Sequence, residues 1–242
     1  MSNELTVIVP FYNEEKYLEK SVKRLVEVNV AKKILLIDDN STDNSQEIAK
    51  DLVNSYENIE LYVKNVNEGK GSCVLFAKQF VTTSHVIVHD ADLEYDPENL
   101  IPLFKLAQKN SDSLVLGSRN LGKIKRVKLN KILVFTNYIF SLFFSILNFY
   151  WVSDIATCYI LMPTSFFKNF IFEEKGFCIE VEILSKYLKY KKKIIEYPIS
   201  YIGRSYSDGK KIKLSDGVKI FIKIFKYSKF FNSIKFFRSD KP

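Results

Sequence analysis

HVIVHDADLEYDP, His85 to Pro97, is the stretch whose reading decides the fold. Val86, Ile87 and Val88 form a short apolar, β-branched run, which predicts a buried strand. The run stops in a burst of acid, Asp90, Asp92, Glu94 and Asp96, with Pro97 opening the next helix. Alternating acids at a strand end bring Asp90 and Asp92 towards one loop-facing point. Two carboxylates that close repel unless a cation stands between them. Hard oxygen ligands suit Mg²⁺ or Mn²⁺, ions usually shared with substrate phosphates. Taken alone, the same residues also describe a solvated acidic loop that caps the following helix.

Outward from this stretch the pattern repeats. Leu5–Val9 predicts a strand ending at Pro10 and followed by FYNEE, and Lys33–Ile37 a second strand ending in DDNSTDNS, Asp38 to Ser45. Asn58–Val63 and Ser113–Leu116 are further strands, the last followed by GSR at Gly117–Arg119. Between them lie helices over Glu14–Val30, from a cap at Ser41 or Thr42 to about Tyr56, from NEGKG (Asn67–Gly71) through Val81, and over Pro97–Lys109. Strand–helix alternation with short loops is the pattern of an α/β protein with an open, mostly parallel, Rossmann-like sheet flanked by helices. The polar clusters PFYNEE, DDNST and DADLE follow strands, so they gather at the carboxyl edge, where such sheets bind ligands. No Gly-x-Gly-x-x-Gly follows the first strand, which argues against a dinucleotide fold. NEGKG lacks the spacing of a Walker loop and its Ser or Thr. A nucleotidyltransferase usually needs a glycine-rich loop after the first strand, which PFYNEE is not.

Ile132–Val152, ILVFTNYIFSLFFSILNFYWV, is uncharged and long enough to span a bilayer at roughly 20 residues. A single crossing would separate the acidic loop from the basic end of the chain, and Thr136, Asn137, Ser141, Ser145 and Asn148 weaken insertion. One or two helices lying in a membrane interface are expected, with a buried core helix as the alternative. DIATCYILMP, Asp154–Pro163, is a loop and short strand. A helix starts at Ile179, with Glu180 and Glu182 as dipole complements in its first turn, and Lys193–Tyr197 is a last strand. Leu214–Phe237 predicts a basic amphipathic helix with breaks near Ser228 and Asn232. Val218, Phe221, Ile222 and Phe225 form one face and Lys219, Lys223, Lys226 and Lys229 the other, a membrane-surface signature with a partner-protein groove as runner-up. The expected organisation is a main domain over residues 1–213 and a basic membrane-surface segment over 214–242.

Charge follows that division. Lys186–Pro242 holds 16 Lys and Arg against 4 Asp and Glu, a net +12 against +8 for the whole chain, so Met1–Ser185 carries −4. A basic tail points to anionic lipid or nucleic acid, and its interleaved Phe and Ile favour lipid. The three cysteines, Cys73, Cys158 and Cys178, have neither metal spacing nor a disulfide framework, which fits a reducing compartment. Two histidines are too few for a His-rich metal site, and His85 belongs to core packing. The N-terminus enters a strand without a basic n-region, so no signal peptide is expected.

With these pieces assembled, the chain resembles the polyprenyl-phosphate glycosyltransferases, the dolichyl-phosphate mannose synthase-like branch of the inverting family-two GT-A enzymes. The resemblance covers roughly Leu5–Tyr227. It rests on PFYNEE, DDNSTDNS, NEGKG, DADLEYDP, GSR, DIATCY, GFCIEVE and YIGRSYSDGKK in that order. It implies a GT-A fold, a nucleotide-sugar donor (UDP- or GDP-linked), Mg²⁺ or Mn²⁺, and a polyprenyl phosphate acceptor (undecaprenyl or dolichyl). The enzyme would act peripherally at the cytoplasmic face of a membrane, bound to an anionic surface, or to a membrane-protein partner, and not to nucleic acid.

By motif position, Pro10, Tyr12 and Glu14 would hold base and ribose, with Ile37 and Asp39 finishing that pocket. Asp90, Ala91, Asp92 and Glu94 would form the metal and diphosphate site, the aspartate-x-aspartate motif. Arg119, Arg204 and Lys210 would meet phosphates. Apart from motif position, Asp154 is a candidate to orient or deprotonate the acceptor, with a simple loop cap as the alternative. The chain departs from the family at Ala156, where Glu is frequent, and at Asn137–Tyr138, where the family commonly has Asn-Arg. Lys128 or Lys131 are the candidates to replace that Arg. Two other readings remain. One is transfer to a saccharide hydroxyl in cell-surface polysaccharide synthesis, which needs a catalytic base, Asp154 first. The other is a non-catalytic membrane-bound scaffold.

Overall fold

The computed structural model describes residues 4–122, 126–127, 131–190, 193–203 and 214–231. Seven strands form one sheet: β1 (Leu5–Phe11), β2 (Lys33–Asp38), β3 (Ile59–Val63), β4 (His85–Val88), β5 (Leu114–Ser118), β7 (Ile160–Pro163) and β8 (Ile194–Pro198), in the order β3-β2-β1-β4-β7-β5-β8. β7 runs antiparallel to β4 and β5, and every other pair is parallel. The expected mostly parallel sheet is therefore present. The short strands β6 (Arg126–Val127) and β9 (Tyr201–Ile202) pair with each other.

Helices cover both faces: α1 (Leu18–Val28), α2 (Ser45–Ser55), α3 (Lys70–Ala77), α4 (Leu100–Lys109), α5 (Lys131–Asn148), α6 (Thr164–Asn169), α7 (Ile179–Lys189) and α8 (Leu214–Tyr227). Period-two alternation sorts the strand side chains. Val7, Val9, Ile34, Leu36, Ile87 and Val115 pack under α1, α2 and α4, while Ile8, Leu35, Ile37, Val86, Val88, Leu114 and Leu116 pack under α3, α5, α7 and α8. With both faces covered, β1 is buried along its whole length.

Several element boundaries differ from expectation. α1 starts at Leu18, because the PFYNEE turn continues through Asn13 in the left-handed region, and Tyr17 and Leu18 donate to the Glu14 carbonyl. Ser41 and Thr42 do not cap α2, which starts at Ser45. They lace two strand ends together instead: the Asn13 N–H donates to Ser41 Oγ at 3.0 Å and the Thr42 N–H to Asn13 Oδ1 at 2.8 Å. Asp96 does cap the turn at Pro97, accepting from the Glu98 N–H.

Residues 132–152 form one helix and a following loop, and the helix is divided by face. Ser141, Phe144, Ser145 and Asn148 are buried, while Ile132, Phe135, Tyr138, Ile139 and Ile146 are exposed. The polar residues join helix to fold. Ser145 Oγ accepts from the Val152 N–H, Ser141 Oγ from the Ile155 N–H, and Asn148 Oδ1 from the Lys229 N–H. No helix among the described residues is long and apolar enough to cross a membrane.

The segment assigned to 214–242 is not detached from the body as far as it is described. α8 packs on α5 and α7, Ile224 and Tyr227 are buried, and Phe221 stacks on Phe143 with ring centroids 4.7 Å apart. The expected break at Ser228 is present, and the one near Asn232 lies outside the described residues. The outward face of α8 is the expected apolar stripe, Val218, Phe221, Ile222 and Phe225. Its lysines do not all face water: Lys223 pairs with Glu174 at 2.6 Å and Lys226 with Glu173 at 3.0 Å.

Candidate active site

The ends of β1, β2 and β4 open onto a cavity of about 310 Å³. Pro10, Tyr12 and Glu14 line it from β1 and the following turn, Asp39 from β2, and Asp90, Ala91, Asp92 and Glu94 from β4. Arg119 lines it from the end of β5. The far wall comes from Gly176, Phe177 and Glu180 before and in α7, and from Ile220 of α8. Most residues singled out in the sequence therefore meet. Ile37 does not: it is fully buried in the core beneath the pocket, because β2 turns its preceding side chain inward. Arg204 and Lys210 lie outside the described residues, as do Lys128 and the side chain of Lys131.

Asp39 is held on all sides. Lys64 Nζ lies 2.6 Å from its Oδ1, and the Glu68 and Gly69 N–H groups donate to its oxygens. It therefore ties the end of β2 to NEGKG while lining the pocket. The glycines of that loop admit a close backbone contact. Gly69 has φ +101°, and a Cβ on Gly71 would lie 2.2 Å from the Glu174 carbonyl oxygen. The tight approach brings residues 174–176 over the start of α3 and points Lys70 at the acidic loop. Lys70 Nζ is 2.8 Å from Asp90 Oδ1 and 2.8 Å from Glu180 Oε1. Burial pushes the Asp90 carboxyl up, but Lys70 more than offsets this and holds it below the usual carboxylate range. Burial alone would depress Lys70, whose two carboxylate partners raise it well above an ordinary lysine.

Asp92 accepts from the Glu94 N–H, across Leu93 in the left-handed region at φ 63°. A bulky residue there stores roughly 1–2 kcal/mol of strain, and the turn it makes directs both acids to the cavity. Glu94 accepts a short hydrogen bond from the Tyr201 hydroxyl. Among the described residues, no three His, Cys, Asp or Glu side chains are gathered as a metal cage. Chemically the site still suits a hard divalent cation. Among the described residues, six carboxylates line it (Glu14, Asp39, Asp90, Asp92, Glu94, Glu180) against two cations, Lys70 and Arg119. Mg²⁺-type ions are commonly held by one or two carboxylates plus substrate phosphates rather than by an all-protein cage. Asp92 and Asp90 are the residues that would hold it.

Asp154 stands behind the cavity wall, fully buried. Arg119 Nε and NH2 meet its two oxygens at 2.8 and 2.9 Å, its own N–H donates at 3.0 Å, and Asn137 Nδ2 donates at 2.9 Å. Burial raises the Asp154 carboxyl, and Arg119 then Asn137 pull it below its ordinary value. An anion so occupied positions Arg119, whose guanidinium lies over the Tyr201 ring at 5.0 Å. Asn137, at the departure from Asn-Arg, serves this cluster; Tyr138 beside it is exposed. Ala156, where the family frequently has Glu, lines the cavity.

His85 and His89 are buried, His89 between Ser21 and Tyr159, and burial depresses the His89 imidazole to about 4. Neither lines the cavity. Lys64, Lys70, Glu180 and Tyr201 are site residues that the sequence did not assign. The only signal for Lys70 is a charged residue between two glycines at a helix start.

A family model described as Glycosyl transferase family 2 matches residues 6–171. The chain is 26% identical over 211 residues to a dolichol-phosphate mannosyltransferase of Pyrococcus furiosus, which covers 86% of this chain and 59% of that protein. It is 30% identical over 126 residues to an undecaprenyl-phosphate 4-deoxy-4-formamido-L-arabinose transferase of Proteus mirabilis, covering 50% of this chain and 38% of that one. The chain thus spans less than two thirds of either relative. Among solved structures it matches glucosyl-3-phosphoglycerate synthase of Mycobacterium tuberculosis in complex with Mn²⁺, UDP and phosphoglyceric acid, with a TM-score of 0.71 and 14% identity, covering 93% and 78% of the two chains. It also matches TarS of S. aureus in complex with UDP-GlcNAc, with a TM-score of 0.62 and 14% identity, covering 93% and 66%. These two likenesses are of fold, the GT-A type.

Proposed function

From the premise that the chain belongs to glycosyl transferase family 2, we propose that it moves a hexose from a nucleotide sugar to a polyprenyl phosphate, with inversion, at a membrane surface. One observation carries this reading. The cavity is lined both by the polar strand ends and by Phe177 and Ile220, and Ile220 belongs to a helix whose outward face is apolar. One pocket thus offers polar groups to a donor and apolar groups to an apolar-tailed acceptor.

Base and ribose lie against Pro10, Tyr12, Glu14 and Asp39, and the diphosphate against Asp90, Ala91 and Asp92. A bound Mg²⁺ or Mn²⁺ would supply neutralisation of charge developing on the leaving diphosphate. An oxygen of the acceptor phosphate attacks the anomeric carbon, and the nucleoside diphosphate leaves from the opposite face. Such an oxygen is already ionised near neutral pH, so no strong general base is needed. That suits a site in which Asp154 is committed to Arg119. Arg119, with Arg204 and Lys210, offsets the repulsion of two anionic substrates. The exposed apolar faces of α5 and α8 seat the protein on a membrane surface without spanning it.

The relatives named for undecaprenyl and dolichol phosphates support this acceptor class. The test is turnover of a panel of UDP- and GDP-sugars with polyprenyl phosphate in anionic vesicles, with Mg²⁺ or Mn²⁺. Asp92→Asn is expected to lower turnover about 10²-fold or more, the size of losing one charge-stabilising group. Full activity in Asp92→Asn would remove it from the metal site. Product on free saccharides but never on lipid phosphate would transfer the reading to the hydroxyl acceptor.

A further inference from the structure

We propose that Lys70 is the resident cation of the nucleotide-free site, holding Asp90 so that a divalent cation binds well only together with the donor diphosphate. The inference rests on the nucleotide-sugar reading above and goes beyond it. The ammonium lies 2.8 and 3.1 Å from the two Asp90 oxygens and 2.8 Å from Glu180. All three side chains are largely withdrawn from water, at 13% exposed for Lys70, 25% for Asp90 and 11% for Glu180. Asp90 is thus already neutralised from within the chain. A free divalent cation that takes Asp90 as a ligand must displace Lys70, leaving a buried ammonium with Glu180 alone.

The placement is built, not incidental. Lys70 is the first residue of α3, between Gly69 at φ +101° and Gly71, whose missing side chain lets the Glu174 carbonyl approach. Glu180 reaches it from the first turn of α7. A lysine also suits a partner that must be released. It is a compact charge with three rotatable donors on a flexible stem, whereas arginine fixes a planar fork on one carboxylate. A diphosphate entering the cavity brings the negative charge that both cations can share. Lys70 then keeps Glu180 and turns towards phosphate, while Asp90 is freed to join Asp92.

The test is Mn²⁺ titration of the full chain, followed by the electron paramagnetic resonance of free Mn²⁺, with and without UDP or GDP. The wild type is expected to bind Mn²⁺ weakly alone and about tenfold or more tightly with nucleotide. Lys70→Gln is expected to bind Mn²⁺ alone about tenfold or more tightly than wild type, the scale of one charge acting on a neighbouring carboxylate. Lys70→Arg keeps a cation there and stays weak. Glu180→Gln leaves Asp90 covered and also stays weak. Equal Mn²⁺ affinity in wild type and Lys70→Gln without nucleotide overturns the proposal, as does a gain in Glu180→Gln matching that of Lys70→Gln. Should Lys70→Gln lose its fold by circular dichroism, a wild type that binds Mn²⁺ as tightly alone as with nucleotide overturns it. If neither nucleotide binds any variant, with or without Mn²⁺, the nucleotide-sugar reading fails as well. Nucleotide binding that is normal but leaves the Mn²⁺ affinities unmoved refutes the Lys70 role alone.

Discussion

Lys70 and Arg119, the described cations of the cavity, are placed in opposite ways. Arg119 sets its fork on Asp154, a carboxylate with no exposure, and Asn137 donates to the same group. Lys70 divides a point charge between Asp90 and Glu180, both of which line the cavity. The first cluster is closed: its anion faces inward and its partners fill it. The second is shared between groups that face the substrate space. Burial alone therefore does not tell an ion pair closed inside the fold from one that faces the cavity. The identity of the cation and the direction its carboxylates face do.

Breaking the closed cluster should have the largest effect on stability. Asp154→Ala leaves Arg119 as a buried charge without its partner, and such losses cost about 3–5 kcal/mol. Denaturant unfolding checks it, and a loss below about 1 kcal/mol would show that Arg119 finds another anion and that the contrast is false. Gly71→Ala attacks the shared cluster from outside. The added Cβ meets backbone at 2.2 Å, so residues 174–176 must shift, at about 1–3 kcal/mol as for other overpacking changes. Nucleotide affinity should fall with it, because Lys70 and Glu180 are carried on the two parts forced apart. Unchanged nucleotide affinity would separate Lys70 from the loop that holds it.

The smallest effect is a pH dependence. The folded Asp154 carboxyl lies below its ordinary value of 3.8. The unfolded chain therefore binds the proton more readily, and the stability from this group is fully present above that value. It is lost as pH falls through the lower, folded value. Asp154→Asn should remove this acid-side loss while lowering stability at pH 7. An unfolding curve that keeps the same acid limb in Asp154→Asn would assign that limb to other carboxylates.

The strands were legible because their apolar, β-branched runs are local and strong, and the strand-end acids because their spacing puts them on one edge. Leu5–Phe11, Lys33–Asp38 and His85–Val88 are where the pattern placed them, within a residue or two. What failed was pairing across distance. Ser41 and Thr42 have the letters of helix caps, yet Asn13, about 28 residues earlier in the chain, offers them better partners. Lys70 gains its meaning only when Asp90 and Glu180 arrive from two other elements. Ile37 was placed at the pocket by motif position, but strand alternation turns it to the core while Asp39, past the strand end, escapes that rule. In α5 the apolar content was visible and its division between core and surface was not, since phenylalanines occupy both faces, Phe144 buried and Phe135 exposed.

The wall at Ile220 has a consequence for the order in which the protein becomes competent. The cavity is lined from Pro10 to Ile220, so its first and last contributors are separated by most of the chain. During synthesis, β1, β2 and β4 can pair long before α8 exists, and the acidic strand ends then stand without their apolar wall. Completion waits for α8 to settle its Lys223 and Tyr227 on Glu174, beside the backbone that Gly71 admits. A chain lacking α8 would therefore carry the strand-end residues of the cavity without the side chain of Ile220 beside them. The last described contributor to the lining is thus set by the docking of one helix.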